Sequence, residues 1–248
     1  MRPLHPLDFI FLNLEKRQQP MHVGGLFLFE LPKDASATFV HDLVEDIRQS
    51  KSIPVPPFNN QLNGLFWGED NEFDIDHHFR HIALPKPGRI RELLVYISQQ
   101  HSSLIDRAKP LWTCDIIEGI EGNRFAMYCK IHHAMVDGVA GMRLIEKSLS
   151  KDPNEKHVVP LWCVESKRSK NPKAVASTKL KGLMKGIKSQ LEVTPKVLQE
   201  LSQTLFKERG KNPDYVSSFQ APPSMLNQRV SSSRRFAAQS FELSRFRN

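Results

Sequence analysis

Two adjacent histidines, His132 and His133, are followed at fixed distance by Asp137 and Gly138, giving H-H-x-x-x-D-G inside the run R-F-A-M-Y-C-K-I-H-H-A-M-V-D-G-V-A-G at 124–141. A neutral imidazole, with an ordinary pKa of about 6.5, takes a proton from a hydroxyl or thiol near neutral pH. No serine or cysteine lies within the motif, so direct transfer between two bound substrates fits better than a covalent intermediate. Asp137, past the turn, can accept from backbone or pair with an arginine and so hold the loop that carries His133. Gly138 either lets backbone approach a substrate closely or takes a conformation closed to other residues. A structural histidine is the bland alternative. The chance of this pattern at the chain's composition is roughly one in a thousand. A second cluster, D-I-D-H-H-F-R-H at 74–81, invites a metal site, but its spacing matches no ligand scheme, and a short strand and loop is the simpler reading.

The elements that must position the motif follow from periodicity. Alternation over 125–133 predicts a strand with Phe125, Met127, Cys129, Ile131 and His133 on one face, and Ala126, Tyr128, Lys130 and His132 on the other. His133 is thereby expected in an apolar layer and His132 on the more polar side. Leu111–Ile117 reads as a strand pairing with it as an antiparallel hairpin through a turn holding Gly119 and Gly122. Asp137 is placed to cap a helix running through Val139, Met142, Leu144, Ile145 and Leu149. Upstream, Asp8 caps a short helix reaching Lys16. A strand spans 22–31, with Gly24–Gly25 marking a bulge or a close backbone approach. Helices follow near 36–47 and over 89–106. Residues 52–72 read as irregular.

The chain has 248 residues, net charge +8 and 40% hydrophobic residues, enough for a substantial core. No apolar run approaches the roughly 20 residues of a membrane span, and the N-terminus lacks the apolar block of a secretory signal. Cys114, Cys129 and Cys163 form no CxxC and no even set, which fits a reducing cytoplasm. Charge is uneven: residues 1–150 carry 16 Lys+Arg against 19 Asp+Glu, and residues 151–248 carry 19 against 8. The basic part reads as an exposed linker followed by two amphipathic helices, over 179–193 and 195–210. Such helices suit an anionic lipid surface or simply cover their own core. Nucleic acid is disfavoured, since the lysines flank an apolar stripe without stacking aromatics. Arg234–Phe241 reads as a further strand.

H-H-A-M-V-D-G at 132–138 resembles the motif of acyl-CoA-dependent acyltransferases that include chloramphenicol acetyltransferase and condensation domains. Pro110, Leu111 and Trp112 look like the P-L-W motif of bacterial wax ester synthase/acyl-CoA:diacylglycerol acyltransferases. M-R-P-L-H-P-L-D-F-I-F-L at the start and S-S-R-R-F-A-A-Q-S-F at 232–241 are similar to that family too. The second P-L-W, at 160–162, falls in the linker and is not carried over. The resemblance implies an α/β (α+β) chloramphenicol-acetyltransferase-like fold. It implies an N-terminal domain over 1–150, a basic helical linker over 151–230 and the start of a C-terminal domain over 231–248. It implies transfer from long-chain acyl-CoA to a fatty alcohol or diacylglycerol, with His133 as general base. His132 and Asp137 support the site, Pro110, Leu111 and Trp112 line the substrate channel, and no metal or redox cofactor is needed. Location would be cytoplasmic, with peripheral contact at the inner membrane or lipid inclusions. Family members are about twice this length, and the N-D-V-V-L-A and S-N-V-P-G-P patterns of their second half are missing here. The expectation is that this chain alone has little or no transferase activity. The rival reading is a non-catalytic lipid-surface protein acting through its basic helices.

Overall fold

The computed structural model describes residues 1–50, 53–152, 155, 159–164, 224–225, 231–239 and 241–246. The two expected basic helices lie outside the described residues. Twelve elements run in order: β1 (Arg2–Pro3), α1 (Pro6–Leu14), β2 (His22–Glu30), α2 (Phe39–Gln49), β3 (Asn60–Asn63), β4 (Phe66–Glu69), α3 (Ile75–His78), β5 (Phe79–Ala83), α4 (Ile90–Ser102), β6 (Trp112–Ile120), β7 (Arg124–His132) and α5 (Gly138–Ser148).

A four-stranded mixed sheet, ordered β2-β7-β6-β5, forms the centre. The expected β6–β7 hairpin is there, antiparallel from Trp112↔Ile131 to Ile120↔Arg124, with an irregularity between Ile117 and Ile120. The turn is shorter than expected, residues 121–123 with Gly122 at φ +79°, while Gly119, also at +79°, sits in the irregular stretch of β6; that conformation costs glycine little. β5 joins β6 in parallel through α4, a βαβ crossover, while β2 pairs antiparallel with β7 from His22↔His132 to Glu30↔Arg124. Strand parity then divides the core. Leu93 and Ile97 of α4 pack on Ile117, Ile120, Ala126 and Tyr128. The opposite face builds the larger core, where Cys114, Cys129 and Ile131 meet Val44, Leu144, Leu161 and Trp162.

Several expectations change. Residues 52–72 contain the β3–β4 hairpin, turning at Gly64 and extended by β1. Strands of four residues are too short to display alternation after Pro54, Pro56 and Pro57. His5, not Asp8, is the N-cap of α1, and Asp8 sits one turn in, where its carboxylate accepts the His5 N–H at 3.3 Å. The expected helix is α5, which buries Leu144 and Ile145, whereas Val139 and Met142 are 65% and 63% exposed. Residues 231–239 pair with no strand among the described residues. They are held instead by Arg234, which donates to Gln18 O, and by the Phe236 N–H, which donates to Ser98 Oγ. Leu161 and Trp162 join the larger core, Trp162 stacking on Trp112 at 5.1 Å.

Of the two readings of Gly24–Gly25, close approach holds, because the β2–β7 register runs through without a bulge. A Cβ on Gly24 would stand 2.7 Å from Tyr128 Oη and 3.0 Å from His101 Nδ1. Tyr128 is buried and cannot swing aside. Gly24→Ala is therefore expected to cost about 1–3 kcal/mol by overpacking. In a chain of this size that lowers Tm by about 2–4 °C per kcal/mol, readable in a thermal melt.

Candidate functional site

β7 ends at His132, and the chain turns at once. The N–H groups of Met135 and Val136 both donate to His132 O, at 2.9 and 3.4 Å. Asp137 then caps α5, its Oδ1 accepting the Ala140 N–H at 2.8 Å. The backbone partner foreseen for Asp137 is thus the one observed. Gly138 is the first residue of α5, with open space where a Cβ would stand and a φ outside the left-handed region. Its role reduces to leaving that side of the turn unobstructed.

The two rings separate by parity but reverse in burial. His132 shares its face with Lys130 and Tyr128, as expected, yet it is completely enclosed at 0% exposure. That face is polar without being wet, because α1 and its following turn cover it. His132 Nδ1 accepts the Ala134 N–H at 3.0 Å, so the proton rests on Nε2, which faces Glu15 Oε1 at 3.4 Å. The contact is electrostatic, outside good hydrogen-bond geometry. His133, expected in the apolar layer, is instead half-buried just past the strand end. Its N–H donates to Met21 O at 2.9 Å, extending the β2–β7 ladder by one bond. Its ring stacks on Phe11 of α1, centroids 5.2 Å apart and planes 18° off parallel. Neither ring nitrogen is engaged among the described residues. Burial first, then the nearby His132, push its pKa below the ordinary histidine range, against a smaller opposing pull from Asp137. The ring is accordingly neutral at pH 7, free to accept a proton, and open on one side.

Glu15 is the residue that sequence reasoning missed. It accepts the Met21 N–H at 3.1 Å and two bonds from Arg107, at 3.3 Å from Nε and 3.0 Å from Nη2. Arg107 also donates to Leu12 O at 2.5 Å. Burial alone would raise the Glu15 pKa, but His132, the Met21 N–H and Arg107 together outweigh it and bring it down to about 2. Nothing in the spacing marks a carboxylate 117 positions before His132 as its neighbour. The capping geometry of α1 gave the only local hint that this helix is firmly placed.

Pro110, Leu111 and Trp112 line no open surface among the described residues. All three are buried: Leu111 O accepts the His132 N–H at 3.0 Å, and Trp112 Nε1 donates to Phe58 O at 2.8 Å. Their apolar bulk takes them into the core, so they serve the site from behind, by fixing the end of β7. The 74–81 cluster departs from the expected strand and loop with a solvated face: Ile75–His78 form α3 and Phe79–Ala83 form β5. His78 is fully buried between Phe73 and Trp112, its Nδ1–H donating to Trp112 O at 2.8 Å.

These groups set an acid limit. Burial pushes His22 and His78 down to about 4, so between about pH 6.5 and 4 the unfolded chain binds protons that the folded chain refuses. Stability is full above 6.5 and falls as pH drops through that window. Glu15, held at about 2, adds a further loss between about 4.5 and 2. At about 1.4 kcal/mol per pKa unit, the histidines alone imply several kcal/mol, and Tm measured from pH 8 to 3 should be flat first and then decline steeply.

A family model described as wax ester synthase/diacylglycerol acyltransferase catalytic domain matches residues 4–248. The chain is 77% identical, over its whole length, to an O-acyltransferase of Acinetobacter baylyi, of which it covers 54%. It is 38% identical, over 98% of its length, to a probable diacylglycerol O-acyltransferase of Mycobacterium tuberculosis, again covering 54%. Its fold matches the solved wax ester synthase/diacylglycerol acyltransferase of Marinobacter aquaeolei at TM-score 0.76 and 42% identity, over 99% of this chain and 54% of that one. The chain spans about half the length of the curated relatives it matches.

Proposed function

The chain belongs to the wax ester synthase/diacylglycerol acyltransferase family, and on that premise we propose that it carries the base-bearing domain of an O-acyltransferase. The substrates are a long-chain acyl-CoA and the hydroxyl of a fatty alcohol or diacylglycerol. The observation that carries the reading is His133: neutral, unengaged and half-open at the end of a rigid strand.

His133 removes the hydroxyl proton as the oxygen attacks the thioester carbonyl. The tetrahedral intermediate collapses with loss of the CoA thiolate, which takes the proton back from the imidazolium, leaving a wax ester or triacylglycerol. His132 does not touch the reacting atoms. Locked between Ala134 and Glu15, it keeps the turn that presents its neighbour. Asp137 and Gly138 shape the same turn, and Pro110, Leu111 and Trp112 brace the strand. The chemistry needs no metal or redox cofactor, because base and thioester supply what the transfer requires.

The deciding assay supplies long-chain acyl-CoA with a fatty alcohol or a diacylglycerol. The 248-residue chain is tested alone and with the remaining segment of the Acinetobacter relative as a complement. Ester formation in the complemented sample supports the reading, and none with either acceptor defeats it. Peripheral attachment to a membrane or lipid inclusion belongs to the same proposal. No helix among the described residues is long and apolar enough to cross a membrane. The non-catalytic lipid-surface alternative is not favoured, since the relatives are named as acyltransferases and the helices it invokes lie outside the described residues.

A further inference from the structure

α1 reads P-L-D-F-I-F-L-N-L, apolar at seven of nine positions, yet only Leu12 of these is buried. A helix apolar on all sides is ordinarily enclosed. Here Leu7 is 54% exposed and Leu14 49%. With Phe11 between them they stand at i, i+4 and i+7, so the three share one stripe about 10 Å long. Phe11 is the member stacked on His133. The next residue in that register, Glu15, is buried against His132 and Arg107. The stripe is thus held at a set place relative to both rings, apolar along its length, with the candidate base at its middle residue.

We propose that the Leu7–Phe11–Leu14 stripe of α1 is the wall against which the aliphatic chain of the acceptor alcohol lies while its hydroxyl reaches His133. The choice of acceptor over acyl donor follows from the chemistry. The proton that His133 takes belongs to the acceptor hydroxyl, so the carbons attached to that oxygen are the first to meet Phe11. The donor's chain begins beyond the carbonyl, one bond farther from the ring. An apolar stripe with two half-exposed leucines recognises chain length and ignores charge, which is what a saturated alkyl group offers.

The rate arm of the test rests on the acyl-transfer reading; the binding arm does not. In the complemented enzyme, Leu7→Ser and Leu14→Ser should each lower the kcat/KM ratio of 1-dodecanol to 1-butanol about tenfold, the scale expected for losing part of a leucine contact. The ratio between long and short acyl-CoA donors should hold at a fixed acceptor. A shift in donor preference alone, or equal loss for both alcohols, overturns the proposal. In the binding arm, 1-decanol is titrated into the 248-residue chain while the His133 ring resonances are followed by NMR. They should shift saturably in the wild type, and Leu7→Ser and Leu14→Ser should weaken the apparent Kd about tenfold or more. An unmoved His133 signal overturns the wall, whereas a wild-type shift without ester formation keeps the wall and defeats the transfer reading.

Discussion

Replacing His133 by alanine should lower ester formation by about 10²–10⁴-fold, the contribution of a positioned general base, while the protein stays folded. The structure separates the two parts of that statement. The ring is half-buried at a strand end, bonded through neither nitrogen among the described residues, and touches Phe11 through its face. Its removal opens a surface notch and should cost about 1 kcal/mol or less. His132→Ala behaves differently. That ring is fully enclosed, and its loss strands the Ala134 N–H, leaves a cavity and removes the imidazole that faces Glu15, at about 2–4 kcal/mol. Both variants lose activity, but only His132→Ala should lose Tm in proportion. The pH profile adds a second readout. With the His133 pKa below its ordinary value, wild-type kcat/KM should rise with pH through an inflection under 6.5 and then level off. The residual rate of His133→Ala should lack that limb. A folded His133→Ala enzyme with wild-type turnover would falsify the general-base role.

What the sequence disclosed about this site, and what it withheld, divides along the range of the interactions. The β6–β7 hairpin and the Asp137 cap are local, written in alternation and in turn residues a few positions apart, and both appear as read. Parity assigned the two histidines to opposite faces, which holds. It could not say which face would be covered, because that depends on α1 folding back from more than 100 positions upstream. The family resemblance implied a channel wall at Pro110–Trp112, but a tryptophan whose indole N–H finds a backbone carbonyl is as readily a core residue. In α5 the helical pattern holds, yet Val139 and Met142 carry apolar side chains on the exposed side. Periodicity reports which residues share a side, and only tertiary packing decides which side is in.

Glu15 exerts the longest-range control over the motif, and its removal should register in stability and activity together. Glu15→Ala leaves the Met21 N–H without its acceptor and leaves His132 Nε2–H facing no charge, both in an enclosed space. Arg107 is 46% exposed at its side chain and can turn to water, so the full penalty of an orphaned buried charge does not apply. A loss of about 2–4 kcal/mol follows. Glu15→Gln keeps an acceptor for Met21 and most of the packing, yet removes the charge that faces His132, so its stability loss should be smaller. The comparison is informative because the two readouts part there. If Glu15 acts by holding His132, and through the turn His133, then Glu15→Gln should lower kcat more than its modest change in Tm explains, with KM little altered. If Glu15 only fastens α1 to the sheet, activity should track Tm across both variants. A double-mutant cycle with Arg107→Ala separates the arms further. A coupling of about 1 kcal/mol or more in stability is expected from the two Arg107–Glu15 hydrogen bonds, whereas the kcat defect of Glu15→Gln should persist undiminished in the Arg107→Ala background, because the carboxylate meets His132 through its other oxygen.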